Sequence, residues 1–92
     1  MKIGYIIASH HVMREGKGVG YLYREEPDNS NDSGWRIFSG EESQEFVDDP
    51  ANFAMYNAST VVDVEPKIRP LLGLNFPVAF ERKKEGEEFE EL

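Results

Sequence analysis

Val19-Gly20-Tyr21-Leu22-Tyr23-Arg24-Glu25, the polar run Pro27-Asp28-Asn29-Ser30-Asn31-Asp32-Ser33-Gly34, and then Trp35-Arg36-Ile37-Phe38-Ser39 form the stretch that decides the fold. The two flanking segments are rich in aromatic and branched residues, which fit a pleated surface. The segment between them consists of turn formers and reads as a surface loop. Side chains alternate along a strand, so Tyr21, Tyr23 and Glu25 share one face and Leu22 and Arg24 the other. In the same way Trp35, Ile37 and Ser39 share a face of the next strand.

Outward from this pair, Ile3 to Ser9 predicts a first strand. Val12-Met13-Arg14 leads into a turn at Glu15-Gly16-Lys17-Gly18, and the strand from Val19 is expected to run antiparallel to the segment before the turn. Glu41 to Asp49, acidic with Phe46 and Val47 as its apolar pair, predicts one or two surface helical turns stopped by Pro50. Phe53 to Asn57 is a short apolar patch. Ser59 to Val64 fits either a strand, through its branched residues, or a helix capped by Asn57. Pro66 opens a short helix that ends at Leu71-Leu72-Gly73, and Val78 to Arg82 closes as a last strand. The expected class is α+β, a mainly antiparallel sheet of about four to five strands with short helices. Residues 1–82 form a single domain, and the charge-dense residues 83–92 are expected to fray.

Composition narrows the function. With 92 residues there is room for one core, and with no cysteine that core has no disulfide, zinc knuckle or thiol nucleophile. Six Phe, four Tyr and one Trp supply the large buried areas that such a short chain needs. A net charge of −8 argues against nucleic acid and anionic lipid as partners and favours a basic protein. The apolar run near the N-terminus is too short for a signal sequence, and no segment approaches a membrane span. A cytoplasmic location is the expectation.

The chemistry-bearing patterns are weak in context. Gly16-Lys17-Gly18-Val19-Gly20 would need a helix after it to cradle phosphate, and Tyr21-Leu22-Tyr23-Arg24 reads as strand. Asn29, Asn31 and Ser33 have calcium-loop spacing, but Gly40 occupies the position of the bidentate glutamate. His10 and His11, adjacent on a strand, would point to opposite faces. Ser9 beside His10 is adjacency without geometry, and the carboxylates cluster in solvated runs. No catalytic residue, metal or cofactor is expected.

The order of motifs carries a resemblance. Val19 to Pro27 precedes Asp32-Ser33-Gly34-Trp35-Arg36-Ile37-Phe38-Ser39-Gly40-Glu41-Glu42, then Asp49-Pro50-Ala51-Asn52, Tyr56-Asn57, Pro66, Ile68, Pro70-Leu71-Leu72 and Ala79-Phe80-Glu81-Arg82. This succession resembles the immunity protein 33 family, small bacterial domains, from about Ile3 to Arg82, with the tail outside the likeness. Its motif positions here include Tyr21, Arg24, Glu25, Trp35, Phe38, Gly40, Glu41, Tyr56 and Arg82. The resemblance implies a protein that binds and silences a toxin domain, and it brings no catalytic residues. The expectation is therefore a non-enzymatic intracellular module that masks another protein, a basic toxin domain. Its contacts are expected at Glu41, Glu42, Glu45, Asp48 and Asp49, with Trp35 or Tyr56 as aromatic anchor. The alternatives are a stand-alone regulatory or small-ligand-binding domain, and an enzyme built on His10, His11 or the Arg24–Glu25 pair. A homodimer through an unpaired edge strand stays open.

Overall fold

A computed structural model describes residues 3–92; Met1 and Lys2, which open the predicted N-terminal segment, lie outside the described residues. Strands β1 (Tyr5–Ser9), β2 (Tyr21–Arg24), β3 (Asp32–Phe38), β4 (Phe53–Tyr56), β5 (Val78–Glu81) and β6 (Glu90–Glu91) form one sheet in the order β4-β1-β3-β2-β5-β6. All neighbours are antiparallel except β1 and β3, which run parallel. Helices α1 (His10–Met13), α2 (Gln44–Asp48) and α3 (Ala58–Val64) and 3-10 turns at Pro50–Asn52 and Pro66–Leu71 complete the α+β architecture.

The alternation predicted for β2 and β3 is realised in their register. Leu22 pairs with Ile37 and Arg24 with Trp35, so these four share one face, while Tyr21 pairs with Phe38 and Tyr23 with Arg36 on the other. The first face holds the core. Ile6, Ala8, Leu22, Trp35, Ile37 and Phe80 meet Val12 of α1, Ala58 and Val61 of α3, and Ile68 and Leu72 from the second 3-10 segment. Trp35 is 0% exposed, and its indole N–H donates to the Leu72 carbonyl at 3.1 Å, tying sheet to cover. A buried indole needs such an acceptor. Gly34, at φ +87°, lies where a Cβ would collide with the Glu25 carbonyl, so only glycine lets β2 and β3 start their pairing there.

Two local expectations are revised and one open alternative is decided. Residues 10–13 form a helical turn rather than a strand, because the chain leaves β1 at Ser9 and turns to bury Val12 against the core. The ambiguous segment after Asn57 is helix α3, whose buried Ala58 and Val61 are three residues apart, as a helical face requires. The segment expected to fray returns to the sheet. Glu90 and Glu91 pair with Glu81 and Phe80, and Phe89 lies 4.4 Å from the Arg82 guanidinium. Arg82 is itself buried, donating to the Val19 carbonyl and to Glu65.

Candidate functional site

Among the described residues, the second face of the sheet has no helical layer matching that of the first. It presents a connected series of rings. Phe38 stands 5.7 Å from Tyr21, 5.8 Å from Tyr23 in a stacked arrangement, and 5.6 Å from Phe53 edge-on. Phe53 meets Phe46 of α2 at 5.9 Å, and Phe46 meets His11 at 4.2 Å. Phe38 on β3 reaches Phe53 on β4 across β1 because Ser9, the residue opposite Phe53, is too short to separate the rings. Each ring is half-buried, and Met55 on the same face is 67% exposed. Two open grooves indent this face. One of about 560 Å³ borders Tyr21, Tyr23, Phe38 and Glu41; the other, about 510 Å³, borders Ile7, Phe53, Met55 and Asp48.

One end of the face is held by a polar cluster. The Glu42 carboxylate, with 3% of its side chain exposed, accepts from the Ser9 hydroxyl at 2.6 Å and from the Ser39 and Gly40 amides at 2.8 and 2.9 Å. His11 Nδ1 lies 3.7 Å from it and 3.3 Å from Ser39 Oγ. Burial pushes the Glu42 pKa up, but the bonds from Ser9 and the Ser39 amide outweigh it and leave the pKa lowered. The cluster folds residues 39–43 over the end of β1 and so sets where α2 stands. The Ser9 hydroxyl donates its hydrogen bond to a carboxylate rather than to an imidazole, so the arrangement is a staple rather than a Ser–His pair.

The other end is held by Arg36. Its guanidinium meets Asp32 through two bonds of 2.8 and 2.9 Å and Glu25 through one of 2.7 Å. The bond from Arg36 holds the Asp32 carboxyl well below the usual carboxylate range. Burial, with the neighbouring Glu25 charge adding to it, raises the Tyr23 phenol above its ordinary value, so the ring stays neutral at pH 7. Arg24, whose strand neighbour is Glu25, points to the opposite face. It donates to the Ser33 and Leu74 carbonyls and sits beside the Trp35 and Phe76 rings. The Arg24–Glu25 pair therefore does not converge on one cleft.

The residues expected at an interface divide accordingly. Glu41, Glu45, Asp48 and Asp49 are exposed, and of these Glu41 and Asp48 border the two grooves of the aromatic face. Asp48 accepts from Gln44, and Asp49 caps the following 3-10 turn through Ala51 N–H. Three expectations are corrected. Trp35 is wholly inside the core, Tyr56 packs toward that same core from the end of β4, and Glu42 is consumed by the staple. The half-buried aromatic surface of the open face is made instead by Tyr21, Tyr23, Phe38 and Phe53. The alternation of β2 sets the two tyrosines opposite Leu22, and that is the signal the sequence offers for them.

The model of the Immunity protein Imm33 domain family matches residues 6–92. The match takes in the tail after Arg82, which the sequence resemblance leaves outside. No curated protein and no solved structure matches the chain significantly.

Proposed function

The chain belongs to the Imm33 immunity-protein family, and from that premise we propose that it neutralises a toxin domain by covering it with the aromatic face of its sheet. The observation that carries this reading is the contrast between a half-buried aromatic series and the carboxylates around it. Rigid rings that project from strands lose little entropy on binding and act as interface anchors. Glu41, Glu45, Asp48 and Asp49 form a charged rim that steers a basic partner and suppresses acidic ones. Neither end cluster offers a nucleophile paired with a base, and occlusion needs none.

The test starts from capture. The immobilised chain is exposed to lysate of its source cells at low and at high salt, and the captured protein is then expressed alone and together with the chain. The reading predicts a basic protein, released by salt, that arrests growth alone and is tolerated in the presence of the chain. A captured protein whose effect on growth is unchanged by the chain would refute it.

A further inference from the structure

β4 ends the sheet, with β1 on one side and no strand of the described residues on the other. An outer strand carries unpaired N–H and C=O groups, and natural edges are usually guarded by lysine, proline, a bulge or extreme shortness. The opposite edge, β6, is guarded: it is two residues long, both exposed glutamates. β4 is not. Phe53-Ala54-Met55-Tyr56 contains no charge and no proline, and its register with β1 runs without a break from Ser9↔Phe53 to Ile6↔Tyr56.

The ground beside this edge is apolar and then acidic. The groove of about 510 Å³ has Ile7, Phe53 and Met55 along the sheet and Val47, Pro50 and Asp48 along the α2 side. From Glu41 to Glu65 the chain contains no lysine, arginine or histidine. Asp48 and the exposed Asp49 stand at the Phe53 end of the strand. A second copy of a chain with net charge −8 would bring the same carboxylates to this place. A basic segment would meet them with opposite charge.

We propose that β4 is a strand-addition edge that takes an extended segment of the partner. That segment has apolar residues at alternate positions and lysine or arginine at the end lying beside Phe53. Its backbone pairs with the free side of β4, its apolar side chains enter the groove, and its basic end meets Asp48 and Asp49. The toxin reading supplies the identity of the partner, so the inference rests on it in that respect. The edge itself is tested without any toxin.

The probe is a short peptide of alternating valine and threonine with lysine pairs at both ends. Amide hydrogen exchange of the whole chain is followed by NMR as peptide is added to millimolar concentration. The expected result is exchange slowed by about tenfold or more at β4 amides. The same peptide with glutamate pairs, or with alternate amides N-methylated, should lose this effect. Met55→Lys, at a largely exposed position, should weaken binding about tenfold by placing a guard on the edge. Unchanged β4 exchange, equal binding of the glutamate or N-methylated peptide, or a dimer that Met55→Lys dissolves would overturn the proposal. A captured toxin that leaves β4 exchange unchanged would defeat the edge assignment while the occlusion reading stood. Protection by peptide without a toxin would do the reverse.

Discussion

The two faces of this sheet are built from the same strands and carry aromatic side chains on both sides, yet only one is sealed. On the covered face Trp35 is fully buried and hydrogen-bonded to the layer above it. On the other face Tyr21, Tyr23, Phe38 and Phe53 lean on each other and remain partly in water. A ring in the first setting stabilises the fold, whereas a ring in the second keeps apolar area in reserve for contact with another molecule. The difference comes from where the helices attach. α3 and the 3-10 segment after it lie along the core side, while the short α2 meets only one end of the open side, through Phe46 against Phe53 and Val47 and Asp48 beside the groove.

Substitutions should separate the faces. The largest expected effect is Trp35→Ala, which removes a fully buried ring and should cost about 3–5 kcal/mol of stability in a denaturant titration. A loss under about 1 kcal/mol would show that the two faces are not distinct in this sense. Asp32→Ala comes next, at about 3 kcal/mol, because it leaves Arg36 short of its bidentate partner in a nearly buried site. The pH dependence follows from the lowered Asp32 pKa. A carboxyl held below its unfolded value contributes stability that is complete above that value, about 3.9, and is lost as pH falls toward the folded one. The gap in stability between the native chain and Asp32→Asn should therefore be full at pH 7 and narrow below about pH 4. A gap independent of pH would break the assignment.

Tyr21→Ala should cost only about 1 kcal/mol of stability but at least about 2 kcal/mol of partner affinity, measured by calorimetry. The smallest effect on stability belongs to the rim. Glu45→Lys combined with Asp48→Lys should leave the fold within about 0.5 kcal/mol while slowing association and flattening its salt dependence. An association rate unchanged by that reversal would remove the rim from the interface.

Much of the contrast is legible in the chain. The alternation of Tyr21 and Tyr23 against Leu22, and of Trp35 and Ile37 along the next strand, comes from strand geometry alone. What alternation does not say is which face receives the cover. Trp35 and Tyr56 read as anchors for that reason, since a large aromatic serves equally as core or as contact. The parallel pairing of β1 with β3 joins residues far apart in sequence, and no local pattern encodes it. The Ser9–Glu42 bond is likewise a contact between residues far apart, so Glu42 is indistinguishable in sequence from its solvated neighbours. The tail looks like a solvated charge run because the cation–π contact of the Arg82 guanidinium with Phe89 exists only once the sheet has formed.

The most direct test of the account compares one partner's affinity for two lysine variants, one on each side of the sheet. Tyr21→Lys charges the open aromatic face, and Thr60→Lys charges the exposed side of α3 on the covered side. The account predicts that the first loses about a hundredfold in affinity and the second keeps it, with both variants folded. Loss of binding with Thr60→Lys and none with Tyr21→Lys would place the interface on the wrong side of the sheet and contradict the account.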